Sequence, residues 1–328
     1  MANQGARNLL TDVPGLRVGN SHDAAIVTGT SVILAETPAV SAVAVAGGGP
    51  GTRETDLLAA DTLVDEVDAI CLSGGSAFGL AAADGVVSGL KAAGRGFGLI
   101  DLPNVPKTPI VPAAILYDLA NGGDKNWPDL SPYHGLGRQA FDNAGKEFDL
   151  GRTGAGFGAR AGAIAGGLGS ASLVTHEGWT IGALAAVNCF GSTQMPGTDC
   201  YWAWPFELDR EFGGKKPPEN YSVRPDDWGA AKLNPAVGQN TTIACIGTDI
   251  ALTPGQAKRV AQMALSGFSR AIRPVFAPFD GDVVFVMSTG KVELAELIPL
   301  NLARIGELAA NTLARSIARG VHAANAQV

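Results

Sequence analysis

The chain has 328 residues, of which 24 are basic and 31 are acidic, so its formal net charge is −7. This acidic balance excludes the basic footprint expected of a nucleic-acid-binding protein, and the length suffices to bury a core without structural metals or disulfides. The four cysteines include no CxxC pair, and the four histidines share no metal-ligand spacing. We therefore expect a reducing compartment and neither a metal nor a cofactor.

The start of the sequence, MANQGARNLLTDVPGL, has no basic segment followed by an apolar one, so it predicts no signal peptide. The longest weakly polar stretch, residues 154–174, is rich in glycine and alanine and contains Arg160, which favours a buried strand pair over a membrane span. We expect a cytoplasmic protein without a membrane partner.

The first third of the chain alternates strand and helix patterns. Short apolar runs that end at glycine predict buried strands at residues 31–36, 41–47 and 69–75. Helical spacing of apolar residues predicts a helix over residues 76–93. The glycine pair before this helix fits either an ordinary tight turn or a helix start that holds an anion. Residues 103–135 are rich in proline, asparagine and aspartate and predict irregular surface structure.

The middle of the chain contains a predicted hairpin and a long polar stretch. Apolar runs at residues 160–175 and 179–192 are separated by His-Glu-Gly, which predicts two neighbouring antiparallel strands. Residues 192–239 are polar, dotted with aromatic residues and rich in proline. A stretch of that length without periodicity is either functional or a linker.

The last third returns to regular structure. A strand is predicted at residues 241–250, followed by a helix whose start at Thr253 has the pattern of a capping box. A further strand is predicted at residues 282–289, and a final helix over residues 292–319, which Pro299 would kink. Strands interleaved with helices indicate an α/β fold.

The two glycine-rich loops, GGGPGTRE at residues 47–54 and SGGSAFG at residues 73–79, are not nucleotide-binding loops. Neither fits GxGxxG or GxxxxGK[ST]. No nucleotide cofactor is predicted.

The Asn240–Thr241 bond is the candidate centre of the chemistry. Cleavage there would give Thr241 a free α-amine with a pKa near ~8, which can act as the base for its own hydroxyl. One residue would then supply both nucleophile and base. The competing interpretation is an ordinary strand start, because threonine favours strands.

Three more polar residues support the catalytic interpretation. Asp280 and Asp282 flank a glycine where a strand begins, so both carboxylates would point to the same side and could orient an ammonium and a hydroxyl. The alternative is a solvated Asp-Gly turn. Asn188 ends an apolar strand, where its amide could stabilise an oxyanion or simply bond the backbone.

Six ordered motifs, which span nearly the whole chain, resemble those of one family. The family is that of the self-cleaving aminopeptidases and amidases typified by DmpA, which includes β-peptidyl aminopeptidases and the endo-type nylon oligomer hydrolase. The motifs are GTRETDLL (51–58), SGGSAFGL (73–80), GRTGAGFGARAG (151–162), ALAAVN (183–188), GQNTTI (238–243) and FDGDVVF (279–285).

The resemblance implies a four-layer αββα sandwich, similar to that of N-terminal nucleophile hydrolases but with different connectivity. It also implies one domain that cuts itself into chains 1–240 and 241–328, with residues 192–239 as the loop before the cut. The cleaved heterodimers would assemble into a homo-oligomer, commonly a tetramer. A small amide or peptide would be the substrate.

The resemblance also assigns roles to single residues. Thr241 matches the nucleophile, Asn188 the oxyanion-hole amide and Tyr117 the site tyrosine. The Asp280–Asp282 pair is closest to that of the nylon hydrolase branch. Ala163 stands where that branch has a lysine, which leaves open which residue balances the carboxylates.

Three functions remain in competition. The favoured one is an N-terminal-threonine amidohydrolase that acts on short amino-terminal peptides or amides, β-peptides, D-amino amides or 6-aminohexanoate oligomers. The second is a self-cleaving acyltransferase. The third is an uncleaved ligand-binding homologue, which a denaturing gel would separate from the other two.

Overall fold

The chain folds into interleaved strands and helices, and the computed structural model describes residues 2–100, 102–232, 240–294 and 296–326. The strands in these residues are β1 (Leu16–Asp23), β2 (Thr28–Val45), β3 (Thr52–Arg53), β4 (Glu66–Ser73), β5 (Ala113–Ile115), β6 (Arg160–Ala161), β7 (Ile164–Ala165), β8 (Gly167–Val174), β9 (Thr180–Asn188), β10 (Thr241–Ile250) and β11 (Val283–Val292). The α-helices are α1 (Ala82–Ala92), α2 (Tyr133–Asp142), α3 (Pro254–Ala271) and α4 (Ile298–Ala326).

One long strand connects the two halves of the main sheet. The strand order is β3-β5-β4-β2-β11-β10-β9-β8, and β1 also pairs with β2. The first part of β2 pairs with β1 and β4, whereas its last six residues pair with β11. The strand thus belongs to two hydrogen-bonded layers.

Alternating residues of these strands face different cores, which shows four layers. In β4, Ile70 packs in the central core between the two sheet layers, whereas Cys71 packs against α1 and α2. In β10, Ile243 faces the same central core, whereas Ala244 faces α3 and α4. Because every strand in the middle is covered on both faces, its sequence is almost continuously apolar. The αββα sandwich expected from the sequence is confirmed.

The helix boundaries follow from local capping. α3 begins with Thr253, whose side chain accepts from the Gln256 backbone amide at 3.3 Å while the Gln256 side chain accepts from the Thr253 backbone amide at 2.8 Å. This capping box was predicted. α4 begins at Ile298, so Pro299 lies in the first turn, where its missing N–H has no helical partner to lose. Pro299 therefore lies at the start of α4 and not in its interior, where the predicted kink would have been.

Several element boundaries differ from the prediction. The strands predicted at residues 31–36 and 41–47 are one continuous strand, β2. The helix predicted from residue 76 begins as a 3₁₀-helix, Ser76–Ala81, and becomes α-helical only from Ala82. The predicted strand pair in residues 154–174 has β8 but also a 3₁₀ turn at Gly154–Gly156.

The segment predicted to be irregular, residues 103–135, contributes β5 and the start of α2. β1 has no counterpart in the prediction, because its sequence LRVGNSHD is polar beyond its first residues. Among the described helices, none combines the length and apolar character that crossing a bilayer requires.

Candidate active site

The candidate residues meet at one end of the sheet because of strand register. Thr241, the first residue of β10, pairs with Asn188, the last residue of β9. On the other side of β10, Ile243 pairs with Val283, so the Asp-Gly-Asp turn before β11 lies beside the start of β10. Three separate sequence motifs are thereby brought together.

The Thr241 side chain lies against the carbonyl group of the Asn240–Thr241 bond. Its hydroxyl donates to the Asn240 carbonyl oxygen, and the Gly281 backbone amide donates to the same oxygen at 3.2 Å. A Cβ atom on Gly281 would lie 2.7 Å from Thr241 Oγ1, closer than such contacts allow. Glycine at position 281 therefore leaves the space that the Thr241 hydroxyl occupies.

The two carboxylates are buried and form part of the site, not a solvated turn. Asp280 and Asp282 are each 1% exposed. Asp282 accepts from the Thr242 amide at 2.7 Å and from the Phe276 amide at 3.2 Å, and Asp280 accepts from the Ala277 amide at 3.1 Å. Backbone donors thus fix both side chains beside the start of β10.

Burial shifts the acid–base behaviour of both acids. It raises the pKa of Asp280 and of Asp282 well above the ordinary carboxyl range. The negative charge of Asp280 raises the pKa of Asp282 further, while the amides and Lys232 partly offset the rise at Asp280. A pair of this kind retains a proton at a pH where an exposed aspartate has lost it.

The first glycine loop, residues 47–54 after β2, is hydrogen-bonded to the turn formed by residues 280–282, which we call the acid turn. Gly47 donates its amide to the Asp282 carbonyl at 3.2 Å, and Gly49 donates to the Asp280 carbonyl at 2.7 Å. A Cβ on Gly47 would lie 2.3 Å from the Asp280 carbonyl oxygen. The loop needs glycine because two backbones approach closely, which explains a motif that fits no phosphate-binding pattern.

Asn188 is held rigidly by its own amide group. Its Nδ2 donates to the Tyr117 carbonyl oxygen at 2.8 Å, and its Oδ1 accepts from Asn121 Nδ2 at 3.0 Å and from the Arg160 backbone amide at 2.9 Å. The structure thus places Tyr117 next to Asn188 through its backbone.

Lys232 is the site residue that sequence reasoning missed. Its Nζ donates to the Asn188 backbone carbonyl at 3.4 Å, and its charge acts on Asp280. Burial lowers the pKa of this amine to about 8. The segment that carries it lies beside the position of the absent lysine, because Ala163 donates its amide to the Ala230 carbonyl at 2.7 Å. The local sequence AAKLNP gives no signal of this role.

Unpartnered buried polar atoms concentrate at the proposed cut. Within the described part of the chain, both amide atoms of Asn240, the Thr242 hydroxyl and Asp280 Oδ1 are buried without a hydrogen-bond partner. Most native side chains avoid this condition, since an unpartnered buried polar group costs about 1–3 kcal/mol. Such a cluster is typical of a site built for chemistry.

The second glycine loop holds an anion that the protein itself supplies. Gly75, just before the 3₁₀-helix, donates its amide to Asp118 at 2.8 Å, and Thr28 donates its hydroxyl to the same carboxylate at 2.7 Å. Burial raises the pKa of Asp118, and the two donors partly oppose this rise. The carboxylate lies one residue after Tyr117, so it also fixes the tyrosine segment.

The polar stretch predicted before Thr241 is packed onto the sandwich over residues 192–232. Glu211 forms an ion pair with Arg315 of α4 at 2.5 Å, and the Arg273 guanidinium lies 4.1 Å from the ring centre of Trp202. The Lys232 amide donates to the Phe190 carbonyl at 2.9 Å. The remainder of the predicted loop, residues 233–239, which includes Gly238 and Gln239 of the motif, lies outside the described residues.

Comparison with known proteins places this geometry in a family. The sequence pattern of the family described as Peptidase family S58 matches residues 8–328. A protein of Mycobacterium tuberculosis described as an uncharacterized aminopeptidase is 40% identical over 336 residues, with 96% of this chain and 93% of that protein covered. The 6-aminohexanoate-oligomer endohydrolase of a Kocuria species is 28% identical, with 88% of this chain and 77% of that protein covered.

Solved structures agree on the fold. A Burkholderia β-aminopeptidase has a TM-score of 0.70 at 21% identity and covers 98% of this chain and 88% of its own. The L-aminopeptidase D-Ala-esterase/amidase of Ochrobactrum anthropi, described as a variant among the Ntn hydrolase fold, has a TM-score of 0.71 at 20% identity, with 99% and 88% covered. At these identities the likeness supports the architecture alone.

Proposed function

The chain belongs to peptidase family S58 and is therefore a hydrolase of amide bonds, and we propose that it cuts its own Asn240–Thr241 bond and then uses Thr241 as an N-terminal nucleophile. The observation that carries the proposal is the contact of the Thr241 hydroxyl with the Asn240 carbonyl group, next to two buried carboxylates. The proposed products are chains 1–240 and 241–328.

Self-cleavage would proceed by acyl transfer within one residue. Thr241 Oγ attacks the Asn240 carbonyl carbon, its proton passes to an ionised carboxylate of the Asp280–Asp282 pair, and the C–N bond breaks with that proton on the leaving nitrogen. The ester that forms is hydrolysed by water to give the Asn240 carboxylate and the free Thr241 amine and hydroxyl. The Gly281 amide already donates to the oxygen that becomes negative in this step.

Turnover would repeat this chemistry on a substrate. The free Thr241 amine takes the proton of its own hydroxyl and gives it to the leaving amine, while the Asn188 side chain and the Gly281 amide are candidates to hold the oxyanion. The acid pair would hold the ammonium form of the Thr241 amine, because Asp282 is fixed by the amide of the neighbouring residue, Thr242. The positive charge of Lys232 lowers the pKa of Asp280 and would so help to keep this carboxylate ionised.

The substrates we propose are short peptides or amides with a free amino end, or 6-aminohexanoate oligomers, in keeping with the names of the relatives. The resemblance also motivates a cytoplasmic homotetramer of cleaved heterodimers. Acyl transfer to a second amine is the alternative that uses the same ester intermediate, and a competing amine added to the assay would divert product in that case.

A denaturing gel and two matched variants test the proposal. We expect the wild-type protein to give two bands and the small chain to begin Thr-Thr-Ile-Ala-Cys on N-terminal sequencing. Thr241→Val should stay intact and inactive, because it removes only the attacking hydroxyl. Thr242→Val is the matched control and should cleave normally, since its hydroxyl is buried without a partner in the described residues and lies on the opposite face of β10.

Thr241→Ser retains a hydroxyl and should restore cleavage. A full-length band in the wild type after prolonged incubation, or a small chain that begins at Thr242, would refute the proposed nucleophile. Two bands in Thr241→Val would do the same.

A further inference from the structure

A cavity of about 390 Å³ lies next to the candidate active site. Its wall consists of apolar side chains together with one amine. The residues that define it here are Phe190, Trp228, Lys232, Pro274, Val275 and Phe279. Its size is within the range of small-molecule pockets, which is about 300–1,000 Å³.

Aromatic rings build the wall and leave it open to solvent. Phe190 contacts Phe279 edge to face at 4.9 Å between ring centres and contacts Trp228 in the same manner at 5.9 Å. Trp228 is 53% exposed. An exposed apolar surface of this kind next to a reactive centre is typical of a ligand-binding surface.

The cavity is continuous with the residues that carry the chemistry. Phe279 immediately precedes Asp280, and Phe190 lies two residues after Asn188. Lys232 belongs to both, because it lines the cavity and its Nζ donates to the Asn188 backbone carbonyl at 3.4 Å. The cavity therefore shares Lys232 and two chain segments with the candidate active site, so a group bound in it would lie beside that site.

A second, larger cavity lacks this connection. It has a volume of about 530 Å³ and is lined by Val40, Glu66 and Leu252 among others. Val40 pairs with Ser288, in the middle of β11 and away from the acid turn that precedes it. Position, and not size, thus distinguishes the cavity beside Lys232.

We propose that the cavity beside Lys232 is a substrate subsite that takes an apolar group, an alkyl chain or an aromatic ring, attached close to the scissile amide. The proposal rests on the proposed function, because a molecule that occupies the cavity is a substrate only if the protein hydrolyses amides. Lys232 carries the only charge among the described residues that line the cavity, so the subsite rejects cationic groups. The preferred substrate class is a short amide with a neutral apolar substituent.

Binding to the uncleaved Thr241→Val protein tests the subsite without any need for activity. We expect N-hexylacetamide to bind at least ~10-fold more tightly than N-methylacetamide by ligand-observed NMR, because the hexyl chain buries more apolar surface. Trp228→Ala should remove this preference and Trp228→Phe should retain it. Leu300→Ala is the matched control, since Leu300 is also apolar and exposed but lies on α4, outside the cavity wall.

Turnover by the cleaved enzyme gives the second arm. Two series of amides are compared. In the first, the leaving group is always p-nitroaniline and the acyl part is alanine, leucine or lysine. In the second, the acyl part is always alanine and the amine is methylamine, hexylamine or 1,5-diaminopentane. We expect kcat/KM in at least one series to be ~10-fold or more higher for the apolar member and lower for the cationic one. Trp228→Ala should lose this preference, mainly through a higher KM for the apolar member of the series.

The outcomes separate the two proposals. Equal binding of the two acetamides, or a preference that persists in Trp228→Ala, overturns the subsite even if amides are hydrolysed. A binding preference in a protein that neither cleaves itself nor hydrolyses any amide retains the apolar amide-binding site and overturns the proposed function.

Discussion

Two buried clusters of charge in this molecule have opposite character. In the first, Arg315 is 1% exposed and donates to both carboxylate oxygens of Glu211, to Asn8 Oδ1 and to the Ser172 carbonyl, at distances of 2.5 to 2.9 Å. We call it the Arg315 cluster. In the second, the Asp280–Asp282 pair, two like charges share one turn and Asp280 Oδ1 has no partner in the described residues.

The difference is the one expected if the first cluster serves folding and the second serves the proposed chemistry. The Arg315 cluster pairs opposite charges, and its hydrogen bonds fix the segment around Glu211 to α4. Burial raises the pKa of both acids of the pair, and the charge of Asp280 raises the pKa of Asp282 further. A fold retains such a costly arrangement where a reaction needs it.

The largest expected effect is on stability, from Arg315→Met. Among the described residues, Glu211 would then keep only Arg319, at 3.4 Å, as an ionic partner, and breaking a buried ion pair from one side costs about 3–5 kcal/mol. The measurement is urea unfolding in the Thr241→Val background, so that every variant is a single uncleaved chain.

The double variant Arg315→Met with Glu211→Met serves as the control and should recover part of the loss, because no unpaired charge remains buried. A single variant as stable as its parent would show that the Arg315 cluster does not hold this loop.

The next largest effect is on catalysis, from Asp280→Asn and Asp282→Asn. Each variant keeps the shape of the side chain but removes its charge, so we expect self-cleavage and amide hydrolysis to slow by at least ~10²-fold. Gel densitometry over time and kcat/KM on an amino-acid p-nitroanilide measure the two rates. Full rates in both variants would remove the acids from the site.

The Asp282→Asn variant should lose activity without losing stability. The folded pKa of Asp282 is raised, so its favourable contribution is present below the ordinary carboxyl pKa and is lost as pH rises through the folded value. In the Thr241→Val background, Asp282→Asn should therefore lack this decline and melt at neutral pH at least as high as its parent. A strong loss of melting temperature would indicate a structural role instead.

The smallest expected effect is from Lys232→Met, about 10-fold in kcat/KM at neutral pH, at the low end of a general acid–base contribution. Loss of the positive charge raises the pKa of Asp280, so the acidic limb of the pH profile should move to higher pH. In the wild type, activity should also fall as the amine loses its proton near its pKa of about 8. Lys232→Arg retains the charge and should remove that alkaline limb while it preserves the acidic one. An unchanged profile in Lys232→Met would separate Lys232 from the acids.

Local sequence patterns predicted the strands and helices, whereas the assembly of the candidate site depends on strand register. The capping box at Thr253 and the strand from Thr241 are visible in the sequence because their signals lie within a few residues of one another. The meeting of Asn188, Thr241 and the acid turn depends on strand pairing, which a single sequence does not encode locally; the resemblance to a family supplied it. Lys232 escaped prediction because its role comes from burial beside Asn188, and nothing in its own segment marks it.

The position of β10 and β11 in the sheet determines what a cut before Thr241 would mean for the molecule. β10 is hydrogen-bonded to β9, and β11 to β2, so the two strands after the cut are interior strands flanked on both sides by the part before it. The two products could separate only by opening both the β9–β10 ladder and the β2–β11 ladder. A chain of residues 241–328 made separately would have two unprotected strand edges and would be prone to aggregate. If the protein cleaves itself as proposed, we expect the cleaved pair to form from the continuous precursor and not from separately made halves.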